Sequence, residues 1–207
     1  NFGTTSYLAL GHDKRLKKSA IEAIETYGTQ FPLSKAYLSC GLYNDLEKLI
    51  EEMYGHPVLI TKNASMAHIS VIPSVVKDED LVIIDHQVHA SVQNAVQLLK
   101  PRGINIEMLR HNRVDLLEQR IKDEQSKYDN IWFMIDGVYS MYGDTAPLLE
   151  IVDLMKKYPK LKIYVDDVHG MSWKGKNGQG FVQSEIGQLH ERMILCGTMS
   201  KVFGASG

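Results

Sequence analysis

From residue 57 onward the chain alternates between short apolar runs and segments of helical period, and this alternation restricts the fold more than any other feature. The runs are PVLIT (57–61), DLVIID (80–85), INIEMLR (104–110), NIWFMID (130–136), LKIYVDD (161–167) and RMILCG (192–197). They are nearly continuous in Val, Ile, Leu, Tyr and Phe, the pattern of strands covered on both faces. Between them, APLLEIVDLMKKY sets Leu148, Ile151, Val152 and Met155 on one helical face. VDLLEQRIKDEQ does the same with Val114, Leu117 and Ile121. Strands and helices in this order predict an α/β fold with a mostly parallel sheet and helices on both faces. Upstream, residues 13–27 and 42–55 read as two further helices. The sequence contains no internal repeat, low-complexity tract or linker.

Composition removes several classes of partner. The 207 residues suit about one domain with a substantial core. A net charge of −2 gives no field to draw in nucleic acid or an anionic membrane. No apolar run approaches the roughly 18 residues of a spanning helix. The opening residues NFGTTSYLALGHDKR lack the basic and apolar regions of a signal peptide. Cys40 and Cys196 have neither a metal-binding spacing nor the number a disulfide framework needs, so a reducing cytoplasm is expected.

In open parallel sheets, ligands bind beyond the carboxyl ends of the strands. His86 and His89 follow the run at 80–85, and the run at 130–136 ends in Asp136 with Ser140 shortly after. The run at 161–167 ends in Asp166 and Asp167, followed by His169, and Thr198, Ser200 and Lys201 follow the run at 192–197. Taken singly, each fits an ordinary role: a helix cap, a turn residue, a structural histidine or an exposed lysine. Asp167 fits an exposed strand end, since alternation points it away from Asp166. Together they bring titratable and hydroxyl groups from four strands to one sheet edge. A lysine amine forms an imine with an aldehyde. Hydroxyls at Thr198 and Ser200, with N–H groups at a helix start, hold a phosphate dianion. A carboxylate at Asp166 favours a protonated pyridine nitrogen, and an imidazole at His89 can lie on an aromatic ring. Aldehyde, phosphate and pyridinium meet in one cofactor, pyridoxal 5′-phosphate.

The sequence resembles the α-oxoamine synthases, a family of fold-type I pyridoxal-phosphate enzymes. The matching segments are SYLALGHD (6–13), DHQVHAS (85–91), DGVYSMYGDTAPL (136–148), YVDDVHG (164–170), GKNGQG (175–180) and TMSKVFG (198–204). They are collinear and span nearly the whole chain. The resemblance implies the fold-type I large domain, with Lys201 carrying the cofactor, Asp166 on its pyridine nitrogen and His89 stacked on its face. His169 and Ser140 would contact the phenolic-oxygen side, and Thr198 would bind the phosphate with the turn at Ala64 and Ser65. Departures fall mostly on the substrate side: Lys35 and Gln179 stand where arginine is common, and the segment after Gly41 lacks the usual histidine. Ala64 replaces a glycine in the phosphate turn.

The resemblance also implies a division into an N-terminal segment, 1–45, packing on a partner subunit or small domain, and a cofactor-binding large domain, 46–207. Family chains are longer and carry a C-terminal small domain, so the expectation is a fragment or the ordered part of a longer protein. The implied activity condenses an amino acid with an acyl thioester, on coenzyme A or a carrier protein, in a homodimer. Lys201, His89 and Asp166 would be its catalytic residues. An aminotransferase uses the same ring-binding set and is the alternative; a non-catalytic partner or truncated form is the second. Lys201, Asp166 and His169 standing together argue against that last reading.

Overall fold

A computed structural model describes residues 4–30 and 40–205. Three helices come first, α1 (Lys14–Tyr27), α2 (Gly41–Tyr54) and α3 (Ala64–Val75). Strands and helices then alternate: β1 (Leu81–Asp85), α4 (Ala90–Gln97), β2 (Asn105–Leu109), α5 (Val114–Glu124), β3 (Ile131–Asp136), α6 (Leu148–Lys157), β4 (Leu161–Asp166), α7 (Phe181–Ile186) and β5 (Met193–Cys196). The five strands form one sheet in the order β2-β1-β3-β4-β5, and every pair is parallel. The chain leaves β1 toward β2 and returns on the other side to β3. The strand order therefore reverses between β1 and β3, the usual place for a ligand crevice in such sheets.

Successive residues of each strand feed opposite layers. Leu81 and Ile83 of β1, Ile131, Phe133 and Ile135 of β3 and Leu161, Ile163 and Val165 of β4 pack against α5, α6 and α7 through Leu117, Ile121, Ile151, Met155 and Val182. The alternate residues Val82, Ile84, Trp132, Met134 and Tyr164 meet α3 and α4 through Ala67, Ile72, Val92 and Val96. β1 and β3 are wholly buried, while β2, at an edge, is partly exposed. At the amino-terminal edge, buried Asp80 accepts from the Lys77 and Asn130 backbone N–H groups, from Asn130 Nδ2 and from Trp132 Nε1 at 2.7–3.1 Å. Those donors make burial of a carboxylate tolerable.

Two elements differ from expectation. PVLIT (57–61) does not form a strand. Pro57 has no N–H, and those of Val58 and Ile60 go to Glu51 and Glu47 side chains at 3.3 and 2.9 Å rather than to a neighbouring strand. A cavity of about 460 Å³ is lined by this segment and by β5. Conversely, the expected turn at Ala64 and Ser65 opens a full helix, with Asn63 accepting from the Met66 N–H at 2.8 Å. Ala64 sits in that first turn without a left-handed φ, so no glycine is needed there.

Asp167 is also not an exposed strand end. Alternation does point it away from Asp166, toward α7, but it is fully buried. Its Oδ2 accepts from the Val182 N–H at 3.1 Å. Burial, opposed by that N–H and reinforced by Asp166, pushes its carboxyl up to about 7. Gly137 and Gly170 close on it so tightly that a Cβ at either position would overlap the Asp167 carboxyl. Asp167→Ala therefore leaves a cavity and an unpaired N–H, and is expected to cost roughly 2–3 kcal/mol. Gly170→Ala should destabilise through the clash. Urea unfolding checks both; wild-type midpoints for the pair would remove Asp167 from the core.

Candidate active site

Beyond the carboxyl ends of the strands lies a cavity of about 160 Å³. Its wall is built from Asn63, Ala64 and Ser65 at the start of α3, and from His89 and Ser91 at the start of α4. Asp136 and Val138 enter from the end of β3, and Asp166, Val168 and His169 from the end of β4. Thr198, Ser200 and Lys201 follow β5.

Asp136 and Asp166 are register partners on adjacent strands and are both buried. Asp136 Oδ1 accepts from the His89 backbone N–H at 3.1 Å, and Asp166 Oδ1 from that of Val168 at 3.0 Å. Burial and the neighbouring Asp166 raise the Asp136 carboxyl to about 8, with the His89 N–H opposing. Two neighbouring carboxyl groups share charge unequally, which keeps a proton on Asp136, and Lys201 stands in the same cavity. His169 is driven the other way, to about 4, by burial and by Lys201, against the pull of Asp166. It is therefore a neutral imidazole near pH 7, and its Nδ1 lies 2.5 Å from the Tyr7 hydroxyl.

One wall suits an anion. The first turn of a helix leaves its N–H groups without intrahelical partners, and Ala64 and Ser65 hold those positions in α3. The Thr198 and Ser200 hydroxyls lie 2.9 Å apart, and Thr198 Oγ1 also accepts from the Ser200 N–H at 3.3 Å. His89 caps α4 as its Nδ1 accepts from the Ser91 N–H at 3.2 Å, and its side chain stays exposed at the mouth.

Of the residues the sequence nominates, Lys201, Asp166, His169, His89, Thr198, Ser200, Ala64, Ser65 and Asp136 meet in this one space. Ser140 does not. A bridge between Val138 and Thr145, with the Tyr139 N–H bonded to Asp144 O, turns the Ser140 segment outward and leaves Ser140 exposed. Val138 lines the cavity in that region instead. His86 is also exposed, its side chain beside Gln87 Nε2 at 3.0 Å. The sequence pattern does not point to Asn63, Ser91 or, most of all, His68, a fully buried histidine whose Nε2 lies 3.1 Å from Asp166 Oδ2. Its signal is the four-residue spacing from Ala64, visible only once the segment is known to be helical.

The raised Asp136 has a measurable consequence. A group whose folded pKa is raised contributes stability that is full below its unfolded pKa and is lost as pH rises through the folded one. For Asp136 that window runs from about 4 to about 8, and Asp167 adds to it up to about 7. The depressed His169 acts oppositely, losing stability as pH falls from about 6.5 to 4, so its contribution is complete above 6.5. His111 is raised by the carboxylates of Asp144 and Asp85 against burial, which adds to the decline at higher pH. Dialysed protein is expected to lose stability between pH 6.5 and 8, at about 1 kcal/mol per pH unit for Asp136. Asp136→Asn should flatten the slope in chemical unfolding; an unchanged slope would contradict the arrangement.

The family model for aminotransferase class I and II matches residues 1–207. The chain is 34% identical over 210 residues to an 8-amino-7-oxononanoate synthase of Alkaliphilus metalliredigens and 36% identical over 213 residues to one of Fervidobacterium nodosum. Each alignment covers 100% of this chain and 52% of the relative. The serine palmitoyltransferase of Sphingomonas wittichii superposes with a TM-score of 0.88 at 28% identity, covering 99% of this chain and 50% of that one. That of S. paucimobilis with a bound PLP–myriocin adduct superposes with a TM-score of 0.87 at 27% identity, covering 99% and 52%. The chain thus spans about half the length of these relatives and shares the fold of pyridoxal-phosphate transferases. With a family match along its whole length and these neighbours in structure, the chain belongs to the aminotransferase class I and II family.

Proposed function

We propose that the protein is a pyridoxal-phosphate-dependent acyltransferase of the α-oxoamine synthase type, condensing an amino acid with an acyl thioester to give an α-amino ketone. The observation that carries this is the meeting of Lys201, Asp166, His169, His89 and the α3 start in one cavity. Those residues fit the cofactor chemically: an amine for the aldehyde, a buried carboxylate for the pyridine nitrogen, and N–H and hydroxyl donors for the phosphate. When bound, pyridoxal phosphate supplies an electron sink for a carbanion at the amino acid α-carbon.

The chain's own groups do the rest. Asp166, whose Oδ1 accepts from the Val168 N–H, would hold a proton on the ring nitrogen by charge pairing. Ala64, Ser65, Thr198 and Ser200 hold the phosphate, as helix starts and hydroxyls do. His89, exposed at the cavity, would cover the ring and could assist substrate deprotonation or acyl attack. Lys201 would hold the cofactor through its amine and could move protons at Nζ. His169, neutral by burial, can hydrogen-bond without adding a second cation beside Lys201.

The named relatives support a synthase; its acyl group would be carried on coenzyme A or a carrier protein. The family model also supports an aminotransferase, and the products separate the two. With a small amino acid and an acyl thioester, a synthase releases free thiol only when both are present. Pyridoxamine phosphate and keto acid forming without any thioester would establish the aminotransferase instead. Asp166→Asn should lower the synthase rate about a hundredfold, equivalent to roughly two pKa units at the ring nitrogen.

The proposal extends to a cytoplasmic homodimer. Cys40 and Cys196 are both free thiols, and no helix among the described residues is long and apolar enough to cross a membrane. In α1, Leu16, Ile24 and Tyr27 fall on one side of the helix and are all exposed. We assign that side, within the 1–45 segment, to contact with a partner subunit or the family's small domain; Lys35 lies outside the described residues. Light scattering at micromolar concentration should give a dimer, and a monomer would contradict this.

A further inference from the structure

His68 lies in α3 four residues after Ala64, on the same side of the helix, and is fully buried against β4. Tyr164 and Asp166, two apart on β4, point to that same side. The imidazole bridges them: Nδ1 is 2.8 Å from the Tyr164 hydroxyl, and Nε2 is 3.1 Å from Asp166 Oδ2. The two rings meet edge-on, at 5.7 Å between centroids and 71° between planes. Nε2 makes no aligned hydrogen bond among the described residues, and Asp166 Oδ2 is the acceptor within reach.

The tautomer follows from the partners. A lone pair on Nε2 facing a carboxylate oxygen at 3.1 Å would be repulsive, whereas a proton there makes a charge-assisted contact. Nδ1 is then the acceptor and takes the Tyr164 hydroxyl proton. Tyr164 is suited to that part, because burial, with Cys196 and Asp166 nearby, raises its pKa far above the ordinary phenol range and keeps it protonated. Asp166 in turn stands beside a second buried carboxyl, Asp136, with one backbone donor on Oδ1. A donor on Oδ2 offsets that crowding and fixes the plane of the carboxylate.

We propose that His68 is a positioning residue of this site, donating from Nε2 to Asp166 Oδ2 and so stabilising the carboxylate anion that pairs with the pyridine nitrogen of pyridoxal phosphate. The inference rests on the cofactor assignment made above. It adds a residue behind the carboxylate that never touches the cofactor and acts only through Asp166.

The test uses purified protein stripped of cofactor and four variants. His68→Gln places an amide N–H near the Nε2 position and keeps the donor to Asp166. His68→Asn places its amide near Nδ1 and reaches Tyr164 only. His68→Leu removes both contacts, and Tyr164→Phe leaves the contact with Asp166 in place. Two quantities are measured: the dissociation constant for pyridoxal phosphate, and the ¹⁵N signal of pyridoxal phosphate labelled at the ring nitrogen. Wild type, His68→Gln and Tyr164→Phe should bind alike and show a protonated ring nitrogen. His68→Asn and His68→Leu should bind about tenfold more weakly and shift the signal toward the unprotonated form, as one lost charge-assisted contact implies. Wild-type affinity and signal in His68→Asn and His68→Leu would overturn the role of His68 while leaving the cofactor assignment intact. Should His68→Leu fail to fold by circular dichroism, His68→Asn behaving like His68→Gln would overturn it equally. Wild type that takes up no pyridoxal phosphate would overturn the cofactor assignment, and the role of His68 with it.

Discussion

Asp136 and Asp166 end adjacent parallel strands side by side, buried, and most of the surrounding structure answers to that juxtaposition. A parallel sheet brings the carboxyl ends of all its strands to one edge, so two strand-terminal aspartates in register must sit next to each other. Leaving both as unpaired anions would be costly. The chain supplies the His89 N–H to one and the Val168 N–H to the other, sets His68 behind the second and places Lys201 across the cavity. With Asp136 pushed toward its neutral form, Asp166 is the carboxylate that the proposed chemistry pairs with a cationic ring.

The opposite face of β4 shows how the same residue type serves structure. Asp167 is one position from Asp166 and of the same residue type, yet the strand's alternation turns it into the α7 layer, where a backbone N–H and the close glycines Gly137, Gly170 and Gly180 enclose it. Similarly, Asp85 at the end of β1 accepts from the Gln87 and Asn112 N–H groups and from His111, whose other nitrogen reaches Asp144 at 2.7 Å. Asp85 ties the strand ends and the loop after β3 together outside the cavity. What separates these aspartates is the side of the sheet and the donors each meets, since their composition and position in sequence are nearly the same.

The five strands were legible because continuous apolar runs between helical periods fit little except buried strands, and their bounds agree with the structure to within a residue or two. PVLIT had the same composition and misled, because its N–H groups are taken by glutamates whose positions only the folded α2 reveals. The α3 helix was hidden by apolar residues all around it and by Pro73, which leave no 3.6-residue stripe to read. The residues that follow β3, β4 and β5 and line the cavity lie a short sequence distance from their strands, so the sequence brings them together. Sequence proximity does not tell that Ser140 faces away from the cavity, where a local bridge decides direction, nor that His68 meets Asp166, a contact that crosses 98 positions of sequence and exists only after α3 docks on the sheet.

Lys201 is the group that carries the cofactor in the proposed chemistry, and every other assignment in the cavity depends on it. The direct measurement is borohydride treatment of the protein loaded with pyridoxal phosphate, followed by peptide mapping with mass spectrometry. The cofactor's mass should be fixed on Lys201 and should vanish from the map in Lys201→Ala. A reduced adduct on any other lysine, or none at all in protein that holds the cofactor, would contradict the site described above.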